Sequence, residues 1–87
     1  MIIDIFEYAF KNEEDIVKQK FYDEEDCLKF SHLTIEKTEF KNCKCMNSKL
    51  NSSFVSDTIF INCDFSNSDF SDSSFTDVKF IDCKTTF

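Results

Sequence analysis

The side chains with the most intrinsic reactivity in this 87-residue chain are five cysteines, at positions 27, 43, 45, 63 and 83, and the single histidine, His32. Cys43 and Cys45 form a CxC pair. A structural zinc site needs four nitrogen or sulfur donors at close quarters, and here no second pair follows and only His32 stands nearby in sequence. Nucleophilic or acid–base catalysis needs a base held beside its partner, and no nucleophile elbow or metal motif surrounds His32, which is expected to face solvent. A glycine-rich phosphate loop is excluded outright, because the chain has no glycine. Carboxylates are plentiful but read as hydrated surface groups. The chain is therefore read as non-enzymatic, with no catalytic residue, no cofactor and no metal.

What positions these side chains is a period of five. The stretch "NCDFSNSDFSDSSFTDVKFIDC" sets Phe65, Phe70, Phe75 and Phe80 five apart in a background of Ser, Asp and Asn. On an α-helix a step of five turns each side chain by about 140°, which defines no buried face. On a flat strand it sends alternate phenylalanines to opposite sides. A chain that bends the same way once per five residues puts all of them inside. The register extends back through Phe60, Val55, Leu50, Cys45, Phe40 and Ile35 to Phe30, and forward to Thr85. Two residues before each lies a smaller, uncharged one: Leu28, Leu33, Thr38, Cys43, Ser48, Ser53, Thr58, Cys63, Ser68, Ser73, Val78 and Cys83. Such regularity marks a repeat architecture.

Units such as "CDFSN" at 63–67, "SDFSD" at 68–72 and "TEFKN" at 38–42 resemble the pentapeptide-repeat family, whose unit is a small residue, Asp or Asn, Leu or Phe, and two variable positions. The resemblance covers residues 28–87. It implies an all-β solenoid, a right-handed quadrilateral β-helix with four units per coil and about three coils. Residues twenty apart then stack in columns: Phe30, Leu50 and Phe70; Ile35, Val55 and Phe75; Phe40, Phe60 and Phe80; Cys45, Phe65 and Thr85. In this frame Cys43, Cys63 and Cys83 fill one inward column as small apolar residues, and reduced thiols are expected. With neither glycine nor proline, Ser and Asn must supply the bends.

Residues 1–27 read as an N-terminal cap. Asn12 suits an N-cap, with acids after it and Lys18 and Lys20 later, so a short helix is expected near 13–21. The apolar "MIIDIFEYAF" before it is expected to cover the lower opening of the coil. It lacks the basic start of an export leader, and no apolar run is long enough to span a membrane, so a cytoplasmic protein is expected.

Charge falls in blocks. Residues 1–27 carry nine acids and three lysines, residues 28–49 two acids and five lysines, and residues 50–87 six acids and two lysines, within a net charge of −7. Arginine is absent, so direct nucleic-acid binding is not expected. An acidic surface suits a basic partner instead. Members of the family it resembles mimic B-form DNA and bind DNA gyrase or topoisomerase IV, and a compact acidic chain also resembles phage-type inhibitors of defence nucleases such as CRISPR effectors. This implies a protein-binding inhibitor that occludes a DNA-handling enzyme, with Asp57, Asp64, Asp69, Asp72, Asp77 and Asp82 presented to a basic nucleic-acid-binding protein. The alternative is a scaffold module with no such target. A homodimer is also expected through the last coil and its adjoining face, where Ile59, Ile61, Ile81 and Phe87 would form the contact.

Overall fold

The computed structural model describes residues 1–85, in which one helix, α1 (Ile2–Asn12), precedes six strands: β1 (Ile16–Val17), β2 (Lys20–Tyr22), β3 (Thr34–Glu36), β4 (Glu39–Lys41), β5 (Phe54–Ile61) and β6 (Ser74–Ile81). All strand pairings are parallel, and their register is the repeat itself. Ile35 lies beside Val55 and Val55 beside Phe75; Phe40 lies beside Phe60 and Phe60 beside Phe80. These two ladders form two adjacent walls of a four-sided coil. The first wall holds β1, β3 and the leading halves of β5 and β6, and the second holds β2, β4 and their trailing halves. The third and fourth walls are held by single bridges, Lys44 to Asp64 to Lys84 and Lys29 to Lys49 to Asp69. The chain is thus a parallel β-solenoid of about three coils.

The bends come from backbone geometry that most residues resist. Among the described residues fourteen non-glycine ones have positive φ, from Glu13 to Asp82, and nine of them are Asn or Asp. These two residue types tolerate the left-handed region best among those with a Cβ. From His32 to Asp82 a residue of positive φ stands two places after each member of the five-residue series from Phe30 to Phe80, which turns the chain at each corner.

Within the coil, the small inward position does more than make room. The N–H of Leu28 donates to the Ser48 hydroxyl in the coil above (2.9 Å), Leu33 to Ser53 (3.1 Å), Ser48 to Ser68 (3.1 Å) and Ser53 to Ser73 (3.0 Å). Each hydroxyl then donates onward, as Ser48 does to the Cys45 carbonyl (2.7 Å) and Ser73 to that of Leu50 (2.9 Å). A polar atom buried without a partner costs about 1–3 kcal/mol. Among the described residues no buried side-chain nitrogen or oxygen is left in that state.

The lower end departs from the sequence expectation in two ways. The helix lies at Ile2–Asn12, not near 13–21. Ile2, Phe6 and Ala9 recur at helical spacing and are buried, whereas Asn12 ends the helix and Glu13 closes it in the left-handed conformation, its N–H bonded to the Ala9 carbonyl. Residues 13–27, read as part of a cap, already belong to the coil. Ile16 pairs with Ile35 and Phe21 with Phe40, nineteen residues apart instead of twenty, and Glu25 bridges Lys44 at the same interval. From Lys29 upward the interval is twenty. One residue is missing between Asp26 and Phe30, so counting back in fives from Phe30 meets Glu25 and Lys20 and overlooks Phe21.

Helix α1 closes the coil from below. The Phe6 ring lies 5.7 Å from Phe21 and 6.3 Å from both Phe30 and Phe40, and Phe10 lies 5.6 Å from Phe30. Full burial of one such ring contributes about 1.5–3 kcal/mol. At the other end of the described chain, Phe75 and Phe80 remain 38% and 36% exposed.

Candidate interaction surface

All six aspartates expected to face a partner also have local structural work. Asp57, Asp72, Asp77 and Asp82 occupy left-handed corners, with φ between 49° and 59°. Asp64 and Asp69 stand in the walls, one residue before the inward phenylalanine. Each accepts two hydrogen bonds on one carboxylate oxygen: Asp64 from the Ser66 hydroxyl and N–H (2.9 Å for the latter), Asp69 from the Ser71 hydroxyl and N–H (2.8 Å). Those bonds, from the serine hydroxyl above all, hold both carboxyls below the usual carboxylate range. Lys84 and Lys44 add to the effect at Asp64, and Lys49 adds to it at Asp69.

The structure brings some of the six together and scatters the rest. Asp57 and Asp77 stack on the corner between the first and second walls, above Lys18 and Lys37. Asp69 and Asp72 close one turn of the fourth wall. Asp64 and Asp82 share a notch of about 220 Å³ with Lys44 and Lys84, beside Cys63. The carboxylates therefore ring the upper coils on all sides instead of forming one stripe. Because one coil takes about twenty residues, the charge blocks of the sequence become layers: an acidic base, a lysine belt at Lys29, Lys37, Lys41, Lys44 and Lys49, and an acidic top.

Ile59, Ile61 and Ile81 do come together. They project outward from the second wall, where Ile61 lies beside Ile81 and Ile59 beside Lys79. Ile81 is 43% exposed. Phe87, expected in the same contact, lies outside the described residues.

The reactive side chains lie largely inward of this surface, with Cys63 bordering the Asp64–Asp82 notch. Cys43, Cys63 and Cys83 stack in one inward column, and all five cysteines are free thiols. They take over the role of the serine hydroxyls elsewhere: Cys43 donates to the Phe21 carbonyl (3.2 Å), Cys83 to that of Phe60 (3.3 Å), and Cys83 accepts the Cys63 N–H (3.4 Å). Interaction between the Cys43 and Cys63 thiols lowers the pKa of the first and raises that of the second. Burial pushes Cys45 up to about 12. His32 is exposed and occupies a left-handed corner, its Nδ1 3.2 Å from the Ser31 hydroxyl. Among the described residues no three His, Cys, Asp or Glu side chains stand close enough to hold a metal ion. No helix among them is long and apolar enough to cross a membrane.

One grouping was not legible in the sequence. Lys18, Lys20 and Lys37 line a notch of about 330 Å³ at the lower edge of the second wall, with Gln19, Thr38, Glu39, Asp57 and Ile59. Its signal is the nineteen-residue register of β2 on β4, which puts Lys20 beside Glu39 and is hidden by the missing residue.

The repeat is recognised independently of the coordinates: the family model for pentapeptide repeats matches residues 38–77 in eight copies. Among curated proteins none matches the chain.

Proposed function

Since this chain is a pentapeptide-repeat protein, of a class that serves as protein-interaction modules and includes some DNA mimics, we propose that it is a non-catalytic module meeting a basic nucleic-acid-binding protein through its corner carboxylates. The observation that carries the reading is the exposure of Asp57, Asp72, Asp77 and Asp82 at left-handed corners. The molecule measures 32 × 25 × 23 Å between Cα atoms, a compact body to set against a nucleic-acid channel. Bound there to lysines and arginines, it would keep nucleic acid out, as an inhibitor of gyrase, of topoisomerase IV or of a defence nuclease such as a CRISPR effector.

Asparagine separates charge from fold at these corners, because it accepts the left-handed conformation as readily as aspartate. The fourfold variant Asp57→Asn, Asp72→Asn, Asp77→Asn, Asp82→Asn is expected to melt like the parent. The parent is expected to inhibit at least one of gyrase supercoiling, topoisomerase IV decatenation or CRISPR-effector cleavage, more weakly as salt rises, and the variant to lose that inhibition. Equal inhibition by both proteins, or inhibition in none of the three assays, overturns the reading. The lysine belt, which interrupts the acidic surface at mid-height, favours the second reading in that event: a scaffold module whose partner handles no nucleic acid.

A further inference from the structure

The outward strand positions of the second wall carry the opposite charge to the molecule as a whole. Its outward strand positions are Lys20 and Tyr22 on β2, Glu39 and Lys41 on β4, Ile59 and Ile61 on β5, and Lys79 and Ile81 on β6. Acids outnumber lysines 17 to 10 in the chain. On this wall the only acid among those strand positions is Glu39, and its carboxylate accepts the Tyr22 hydroxyl. At the adjoining corner Lys18 and Lys37 face the same notch as Lys20. Among the described residues none of these lysines makes an ion pair. The three isoleucines form an apolar centre against that basic edge, and Ile59 lines both.

From this juxtaposition we infer that the second wall is a docking face for an acidic peptide segment of another protein, with apolar side chains seated on Ile59, Ile61 and Ile81 and carboxylates reaching Lys18, Lys20 and Lys37. Charge complementarity and geometry select this occupant over two others. The corner that begins with Lys18 and Lys37 continues upward with Asp57 and Asp77. Its sign therefore inverts after two coil steps of about 4.8 Å each, which admits one or two carboxylates but repels a running phosphate backbone. Nucleic acid would also leave the isoleucines uncovered. A second copy of this face would set its basic edge, with Lys41 and Lys79 bordering the patch, against the same basic edge, and like charges at an interface oppose it. Of the corner carboxylates Asp72 lies off this face, whereas Asp57 and Asp77 stand at its leading corner and Asp82 at its trailing one, so the lysines and isoleucines are what distinguish the two surfaces.

The test uses the full chain and a fluorescein-labelled peptide of alternating glutamate and leucine, with a lysine–leucine peptide and a DNA duplex as competitors. Anisotropy should report binding of the glutamate–leucine peptide alone. Amide shifts should move at Lys18, Lys20, Lys37, Ile59, Ile61 and Ile81. Lys20→Glu and Ile61→Glu, both at outward strand positions, should each weaken binding about tenfold or more with unchanged melting. Lys37→Glu is the second charge variant should Lys20→Glu disturb β2. The fourfold Asp→Asn variant should bind the peptide at least as tightly as the parent, because it loses the repelling charges of Asp57 and Asp77 beside the notch, while a failure of the corner reading alone leaves peptide binding in place. Absence of peptide binding, unaltered affinity in these variants, equal competition by DNA, or a dimer mass that Ile61→Glu abolishes would each overturn the inference.

Discussion

The rings of Phe60 and Phe80 lie 5° from parallel with their centroids 4.7 Å apart, which is the spacing of the coils themselves. Phe40 continues the stack below Phe60 at 4.5 Å. The coil repeat has thus set the ring spacing, and Phe60 is the ring enclosed on both sides, 2% exposed against 36% for Phe80. Phe60→Ala is expected to cost about 3–5 kcal/mol. Phe80→Ala should cost clearly less, and Lys49→Ala, at an exposed wall position, about 0.5 kcal/mol or below. Urea unfolding of the three variants checks the order, and equal midpoints for Phe60→Ala and Lys49→Ala would contradict the register.

Ser48 tests the hydroxyl ladder. It is fully buried, accepts the Leu28 N–H and donates to the Cys45 carbonyl. Ser48→Ala removes few contacts but leaves the buried Leu28 N–H without its partner, while the Cys45 carbonyl keeps only the longer bond from the Ser68 hydroxyl (3.4 Å), for an expected loss of about 1–3 kcal/mol. Ser48→Cys should lose less, because thiols already fill this role in the Cys43 column. Denaturant midpoints of the two variants decide it, and an alanine variant as stable as the parent would show that the ladder contributes nothing.

The solenoid was legible because a fixed bend makes the fifth residue special, and from Phe30 to Thr85 no unit breaks step. The columns through Val55 and Phe60 could be written down in advance for the same reason. What lay below Phe30 was hidden by a single missing residue, since a period found by counting loses its phase at one deletion while a parallel ladder absorbs it in a looser corner. The helix was misplaced because Asn serves both ends of a helix, and "NEEDIVKQK" offered Asn12 with acids after it as a start. Burial of Ile2, Phe6 and Ala9 decided otherwise. In the candidate surface, the outward isoleucines followed from the register, but the second job of each aspartate did not. A carboxylate that holds a left-handed corner and one offered to a partner look alike in a sequence. The cluster of Lys18, Lys20 and Lys37 depended on the hidden register and could not have been read from spacing alone.

Thiol reactivity should sort by layer. Cys27 is exposed, Cys83 half-buried, and Cys43, Cys45 and Cys63 buried. With a chromogenic disulfide reagent one thiol should react fast and a second slowly, and the other three only on unfolding, with Cys45 further protected by its raised pKa. Cys27→Ser should remove the fast phase alone. Rapid reaction of all five in the native protein would mean that the middle and upper coils open readily.

Acid should loosen the turns that Asp64 and Asp69 tie. Their carboxyls are lowered by the serine hydroxyls and N–H groups that bond the ionised form. A depressed folded-state pKa means that the ionised group favours the fold. That contribution is complete above the unfolded carboxylate value of about 3.9 and is lost as pH falls through the lower folded value. The melting temperature should therefore hold from neutrality to about pH 5 on this account and decline below it. Ser66→Ala and Ser71→Ala remove the main cause, so carboxyl carbon shifts followed by NMR should show Asp64 and Asp69 titrating nearer the ordinary range in the respective variants. If each aspartate titrates alike with and without its serine, the bonds seen at these turns do not hold the carboxylates in solution, and both groups are free to act as surface charges only.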